Sequence, residues 1–239
     1  MTSFAVKNIS NMVALWRCYG AELRGNLWYS LGWPHRVWHD SLERWQVVKS
    51  LQWTQLNSKH QLVTVANNSA ASQEYGCRLQ SEVSLTLMHL AVPKSSRQLA
   101  EATDLELLNQ DDSDGITAFV DMCSEGFGYA MEVKPLQRAA KMDGVKLGFL
   151  RAHGERVATV LLYKQGMTLG IFQVAVPSAY RGKGYATEVM HHSMRWAQVE
   201  GVKLMTLQAS EMGLNLYRRL GFQEDGAITF WRKQCTEYP

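Results

Sequence analysis

The chain has 239 residues, of which 46% are hydrophobic, and a formal net charge of +3 at pH 7. This composition supports a folded core in one large or two modest domains, and the small charge argues against a nucleic-acid partner, because nucleic-acid-binding proteins carry a clustered basic face. No apolar run approaches the roughly 20 residues of a membrane-spanning helix, so no membrane partner is expected.

The cysteines and the N-terminal residues indicate the cellular compartment in which the protein is expected. Cys18, Cys77, Cys123 and Cys235 are scattered and show no Cys-x-x-Cys spacing. Free thiols are typical of a reducing compartment, and the N-terminus lacks the basic and then hydrophobic pattern of a secretion signal. A cytoplasmic location is therefore expected.

Residues 1–97 are predicted to form a separate, smaller α/β domain. Apolar spacing predicts helices over residues 9–19 and 42–51 and strands over 62–65 and 83–92. Polar and turn-forming residues predict a loop over 66–74 and a linker over 93–97. Six of the eight tryptophans lie in this domain: Trp16, Trp28, Trp33, Trp38, Trp45 and Trp53.

These aromatic residues have two interpretations. Large side chains in a small domain usually bury area in its core. The alternative is a docking surface, which either covers the second domain or pairs two subunits in a homodimer.

The next segment alternates strands and helices. A strand is predicted over 103–108, followed by a helix over 115–127 with Ile116, Phe119, Val120 and Cys123 on one face. A second short helix over 135–142 admits Pro135 in its first turn. Residues 145–151 and 156–163 are expected to form a hairpin.

A strand, a basic glycine turn and a helix follow between residues 170 and 196. Gly182 and Gly184 allow backbone conformations that bring N–H groups close to a ligand. Those groups coincide with the positive end of the next helix, and Arg181 and Lys183 add full charges, so the turn suits an anion. The alternative is an ordinary turn with two surface cations. The Walker loop and the dinucleotide fingerprint both fit this turn poorly.

The helix that begins near Tyr185 shows apolar residues at helical spacing, which are assigned to the core. His191 and His192 are predicted to lie mostly on its outer face. No metal site is expected there, because adjacent helical positions point about 100° apart.

Two motifs in this half resemble those of the GNAT superfamily of N-acetyltransferases. Arg181-x-x-Gly184-x-Ala186 resembles the family's Arg/Gln-x-x-Gly-x-Gly/Ala signature. After a predicted strand over 204–210, residues 213–222 (Gly-Leu-Asn-Leu-Tyr-Arg-Arg-Leu-Gly-Phe) resemble its Ala-x-x-Leu-Tyr-x-x-x-Gly-Phe helix. The resemblance covers roughly residues 100–234.

The resemblance implies a fold and a domain division. It implies an α/β protein with a mixed sheet and an acyl-CoA N-acyltransferase (GNAT) fold over residues 98–239. We interpret the N-terminal domain, residues 1–97, as a degenerate, partial copy of that fold.

The resemblance also implies acetyl-CoA as co-substrate, without a metal. The strand before the glycine turn and the strand near Leu207 would splay apart to admit the pantetheine arm. Tyr217 would be the general acid that protonates the leaving thiolate, with a core tyrosine as the alternative. The residues implied to contact the coenzyme are Val174, Ala175, Val176, Arg181, Gly182, Lys183, Gly184, Tyr185, Ala186 and Ser210.

The sequence departs from the family pattern near Tyr217 and at the position of the catalytic base. Ser210 stands where Asn is frequent, and Gly213 stands where Ala is usual. The strand before the turn offers only Gln173, which cannot take a proton at neutral pH. Glu125, Glu132 and Glu211 are candidate bases, and a water chain or free amine from solution is equally admissible.

The acceptor would be set by the loop over residues 125–132. Its carboxylates Glu125 and Glu132 stand among aromatic residues, with Phe127 and Tyr129 expected to line the acceptor site beside Gln173. This favours an amine-bearing metabolite or peptide amine over an anionic or neutral acceptor, although Phe127 and Tyr129 could instead only pack the helix ends.

The leading function is transfer of an acetyl group from acetyl-CoA to a primary amine by direct attack. A non-catalytic acyl-CoA-binding or regulatory module is the alternative, and a phosphate-binding protein unrelated to acyl transfer is the third.

Overall fold

The computed structural model describes residues 1–46, 56–65, 77–92 and 103–235. Over these ranges the chain forms a mixed sheet of eleven strands with helices on both faces. The five helices are α1 (Ser3–Tyr19), α2 (Ser113–Phe127), α3 (Val133–Ala140), α4 (Tyr185–Val199) and α5 (Glu211–Arg219). The strands are β1 (Ala21–Arg24), β2 (Leu27–Ser30), β3 (Arg36–His39), β4 (Gln61–Val65), β5 (Cys77–Ala91), β6 (Thr103–Leu107), β7 (Val145–Ala152), β8 (Glu155–Gln165), β9 (Thr168–Ala175), β10 (Leu204–Ala209) and β11 (Gln223–Cys235).

Strands from the two ends of the chain alternate within the sheet. The spatial order is β1-β2-β3-β4-β11-β5-β10-β9-β8-β7-β6. The long strand β5 therefore lies between two C-terminal strands, antiparallel to both, with Met88 opposite Leu207 on β10 and Leu85 opposite Ile228 on β11. The predicted division between residues 97 and 98 falls outside the described residues and stays a prediction, but the described residues on its two sides share one sheet.

Hydrophobic cores cover both faces of the sheet. One core joins α1, α2 and α3 to strands from both halves of the chain, and the other packs α4 and α5 against β8, β9 and β10. Trp16, Trp33, Trp38 and Trp45 are buried in the first core, with the Trp16 ring edge-on to Trp38 at 5.2 Å. These four tryptophans support the core interpretation, whereas Trp53 lies outside the described residues.

The described elements agree with most of the sequence predictions. The second predicted helix, over 42–51, is described only in part, as a 3₁₀ helix at Leu42–Gln46. The predicted loop over 66–74 and linker over 93–97 lie outside the described residues.

The predicted outward position of His191 and His192 is wrong. Both residues are buried, with 7% and 8% of their surface exposed, because α4 is covered on this side by β6, β7 and β8. His192 Nε2 lies 3.2 Å from Thr103 Oγ1 on β6, and burial lowers the pKa of His192, which favours its neutral form. Among the described residues there is no group of side chains that could hold a metal, and none of the described helices is long and apolar enough to span a membrane.

Helix α1 is fixed to the sheet by a buried amide. The Asn8 side chain is 0% exposed and donates hydrogen bonds to the carbonyl oxygens of Met88 at 2.9 Å and Leu207 at 3.0 Å. Its oxygen accepts a hydrogen bond from Gln208 Nε2 at 2.5 Å. One turn later, Asn11 Nδ2 donates to the carbonyl of Tyr163 at 3.2 Å. The first helix is thus part of the same packing unit as β5, β8 and β10.

We expect Asn8→Ala to lower the free energy of unfolding by about 2–3 kcal/mol, because it removes three buried hydrogen bonds and leaves the Gln208 amide without its acceptor. Ser10→Ala, at an exposed position of the same helix, is the matched control. It should change the free energy of unfolding by less than about 0.5 kcal/mol. Urea unfolding of both variants measures the difference. Equal effects would show that Asn8 does not anchor the helix.

Candidate active site

The central feature of the site is a gap between two parallel strands. β9 and β10 pair only at Thr168–Leu204, Leu169–Met205 and Gly170–Thr206. Beyond Gly170, β9 stays with β8, and beyond Thr206, β10 stays with β5. Among the described residues, the facing edges of the two strands therefore have no strand partner toward their carboxyl ends, which is the divergence that the family resemblance implies.

A β-bulge shapes β9 beside this gap. Gln173 has a φ of 51°, and the register with β8 moves from Phe172 opposite Leu161 to Ala175 opposite Thr159. Thr159 Oγ1 holds the bulge by donating to the Gln173 carbonyl at 2.7 Å and accepting from the Ala175 N–H at 3.2 Å. A bulge bends its strand and redirects its backbone groups. Here it does so at Gln173 and Val174, at the level where the two strands separate.

The glycine turn lies at the open end of the gap. Gly182 and Gly184 have φ values of 76° and 82°, which favour glycine, and Gly184 starts α4 without a side-chain cap. The Tyr185 and Ala186 N–H groups belong to the first turn of α4 and have no acceptor within the described part of the chain. Free donors at the positive end of a helix make a site for an anion.

Arg181 connects this turn to α2. Its Nε donates to the Val176 carbonyl at 3.1 Å and its Nη2 to the Gly126 carbonyl at 2.7 Å. Gly126 itself packs closely, since a Cβ there would stand 2.8 Å from the Ala175 Cβ. Arg181 thus holds the end of α2 against β9 and keeps its charge at the turn. Lys183 Nζ lies 5.6 Å from the centre of the Tyr180 ring, at the exposed rim.

Helix α5 begins where β10 ends, at the same end of the gap. Ser210 caps it, with its Oγ accepting from the Gly213 N–H at 3.4 Å. Tyr217 packs edge-on to Phe222 at 5.9 Å, and burial raises the pKa of Tyr217 to about 12, so this side chain is a phenol at neutral pH. A Cβ on residue 213 would stand 3.1 Å from Tyr217 Cε2, so glycine at this position, where the family usually has alanine, leaves room for the ring.

The loop between α2 and α3 meets the N-terminal part of the chain. Phe127 and Tyr129 stack on each other at 5.7 Å and are exposed. Glu125 is exposed, whereas Glu132 Oε1 lies 3.3 Å from His35 Nε2 in the turn between β2 and β3. Glu211, the third candidate base, is exposed in the first turn of α5. The sequence-predicted acceptor residues thus occupy one loop, but their carboxylates point to different neighbours.

Sequence reasoning missed the polar residues that α1 brings to this face of the sheet. Tyr19 Oη is buried without a hydrogen-bond partner among the described residues. Burial raises the pKa of Tyr19, which keeps this side chain a phenol at neutral pH. Nearer the start of α1, Asn8 meets Gln208 of β10. No motif marks these residues, because their roles depend on contacts far apart in the sequence.

Comparisons with known proteins agree with this geometry. Residues 117–222 match the model of the Acetyltransferase (GNAT) family. A search of curated proteins found no match. Among solved structures, a GCN5-related N-acetyltransferase from Kribbella flavida aligns with a TM-score of 0.65 at 14% identity, covering 97% of this chain and 96% of the other. A GNAT-family protein from Novosphingobium aromaticivorans aligns with a TM-score of 0.62 at 15% identity, covering 96% of this chain and 97% of the other.

A third structure, a functionally unknown conserved protein from Staphylococcus epidermidis, aligns with a TM-score of 0.57 at 13% identity over 90% of this chain and 93% of that one. At these identities the structural likeness establishes the fold, which extends over nearly the whole chain. Together with the family match it identifies residues 117–222 as a GNAT acetyltransferase domain and the protein as an acyltransferase.

Proposed function

We propose that the protein is an N-acetyltransferase that transfers the acetyl group of acetyl-CoA to a primary amine by direct attack. The observation that carries this proposal is the meeting of two features at one end of the sheet. The gap between β9 and β10 suits a pantetheine arm, and the free N–H groups at the start of α4 suit the diphosphate of the coenzyme.

Residues along the gap can be assigned to successive parts of acetyl-CoA. Residues 181–186 would hold the diphosphate. The backbone at Val174 and Val176 would pair with the pantetheine amides, whereas the Ala175 N–H between them already donates to Thr159. The thioester supplies an activated acyl group. A backbone N–H near the bulge would stabilise the oxyanion that forms on its carbonyl. Ser210 can still contact the arm, because capping α5 occupies one lone pair of its Oγ and leaves its O–H free to donate.

Transfer requires three proton movements. The ammonium form of the acceptor loses one proton to expose its lone pair, the nitrogen loses a second proton to water after the C–N bond has formed, and the thiolate released when the C–S bond breaks gains one. Tyr217 is proposed to protonate this sulfur, since burial keeps it in the phenol form. Gln173 cannot serve as the base, so the amine proton would leave to water, or the amine would enter already neutral.

The alternative function is a non-catalytic acyl-CoA-binding module. Gln173 at the bulge, the pairing of Glu132 with His35 and the exposure of Glu125 favour it, because these positions supply no carboxylate to the gap. Thiol release from acetyl-CoA with a panel of amines distinguishes the two. We further propose a cytoplasmic location, which the free, buried thiols of Cys18 and Cys123 support.

Gly184→Ala should weaken acetyl-CoA binding at least tenfold, because a side chain at a φ of 82° strains the turn that presents the N–H groups. Gly201→Ala is the matched control: it introduces the same kind of strain, at a φ of 68°, just beyond the C-terminal end of the same helix. Calorimetry should give unchanged affinity for this control. Equal losses in the two variants would remove the turn from the binding site.

Tyr217→Phe should lower kcat by about 10- to 100-fold, because it removes the proton donor for the thiolate. The dissociation constant of acetyl-CoA should stay within about twofold, since the ring keeps its packing against Phe222. Steady-state kinetics and calorimetry on the same preparation test both points. Unchanged turnover would exclude Tyr217 as the acid.

The pH dependence follows from the raised pKa of Tyr217. A general acid with a pKa of about 12 remains protonated throughout the neutral and moderately alkaline range. The rate constant kcat/KM should therefore rise with pH as the acceptor amine deprotonates and then stay level up to pH ~10. A fall between pH 8 and 10 that disappears in Tyr217→Phe would contradict the raised pKa.

A further inference from the structure

Arg36 follows His35, which contacts the proposed acceptor loop, and its guanidinium has no counter-ion among the residues that the structure describes. It is the first residue of β3, and its backbone is fixed by a hydrogen bond from its N–H to Ser30 Oγ at 3.1 Å. Its Cζ lies 4.0 Å from the centre of the Phe230 ring, which is buried. Its Nη1 is buried and has no hydrogen-bond partner among the described residues.

The neighbouring charges do not satisfy this group. The charge of Glu82 on β5 acts on Arg36, but Glu82 is engaged by Arg232 and by the amide of Gln61. Within the described ranges Arg36 forms no ion pair. Burial lowers the pKa of Arg36 to about 10, so it remains a cation at neutral pH. A buried charge without a partner costs free energy unless a ligand supplies the opposite charge.

Arg36 lies on the same face of the sheet as the acceptor loop, because the Phe230 ring under its guanidinium belongs to the core that also contains Met131 of that loop. One end of the loop reaches β9, where a Cβ on Gly126 would stand 2.8 Å from the Ala175 Cβ. The other end reaches the residue before Arg36, where Glu132 Oε1 lies 3.3 Å from His35 Nε2. We name the polar side chains of this region the acceptor wall: Gln173, Tyr19, Tyr129 and Arg36. Tyr129 is 52% exposed, so the wall is accessible from solvent at this side chain.

We propose that Arg36 binds a carboxylate of the acceptor, so that the acceptor is an amino acid or another amine that carries a carboxylate. This inference rests on the proposed function and narrows its substrate class. The amine end would point along the acceptor wall toward Gln173 and the gap. The carboxylate would occupy the free guanidinium edge, where a charge-assisted, bidentate contact is available. The carboxylates of the acceptor loop then need not select for a purely cationic amine.

The test compares each amino acid with its own carboxamide. The two share the reacting amine but differ in the carboxylate, and rates are expressed per neutral amine to remove the difference in amine pKa. For the wild-type protein we expect kcat/KM to be at least 30-fold higher for the preferred amino acid, mainly through KM. In Arg36→Met this preference should vanish, while activity on the carboxamide stays within about threefold. Arg24→Met, on an exposed arginine of β1, is the control and should retain the preference.

Binding and stability provide readouts that do not need turnover. Calorimetry with coenzyme A present should detect the amino acid on wild type and Arg24→Met but not on Arg36→Met. The melting temperature of Arg36→Met should equal or exceed that of wild type, because a buried unpaired charge is removed. Arg36→Lys, which keeps the charge without the bidentate edge, should restore part of the preference.

Three results would overturn the inference. The first is an equal kcat/KM of the wild-type protein for the amino acid and its carboxamide. The second is an equal loss of kcat/KM for both substrates in Arg36→Met. The third is a melting temperature of Arg36→Met well below that of wild type, as expected if Arg36 has a structural role. Absence of thiol release with every amine would instead reject the proposed function, and calorimetric binding would then decide the role of Arg36 by itself.

Discussion

The absence of hydrogen bonds between β9 and β10 beyond Gly170 and Thr206 is the constraint on which the site depends. Backbone groups inside a protein are almost always paired, so two strand edges that face each other without bonding need another partner. Each strand is held away from the other by its outer neighbour, β8 for β9 and β5 for β10. Thr159 stabilises the bulge on one side of the gap, and Asn8 ties the other side to α1. The molecule therefore maintains an opening that an extended, amide-containing ligand could complete as an additional strand.

The sequence was informative where structure depends on neighbouring residues. Gly182 and Gly184 adopt the left-handed conformations that their turn suggested, and the helix after them starts at Tyr185 as expected. Helix α2 and the β7–β8 hairpin likewise follow from apolar periodicity and turn residues, and α5 follows from the resemblance of residues 213–222 to the family's helix. His191 and His192 were misplaced because the spacing of residues on α4 does not tell which strands cover it, and β6 comes from a distant part of the chain.

The rest could not be predicted because it depends on contacts between distant residues. Nothing in residues 1–19 indicates that α1 covers the gap or that Asn8 reaches Leu207. The acceptor wall could not be predicted for the same reason, since Arg36, Tyr129 and Gln173 come from three separate segments of the chain that meet only in the folded sheet. The role of Ser210 as a helix cap was also missed, although serine is a preferred residue immediately before a helix. Sequence patterns of neighbouring residues therefore predict the coenzyme-binding part of the site better than the acceptor-binding part.

The insertion of β5 between β10 and β11 has a consequence for biosynthesis. The ribosome delivers β5 early, but both of its sheet neighbours lie near the C-terminus and emerge last. During translation this long strand has exposed edges on both sides, and such edges readily associate with other chains. Proteins rich in long-range strand pairing also fold slowly. The nascent polypeptide should consequently depend on protection by chaperones until its final strands are released, more than a protein whose strands pair in the order of their synthesis.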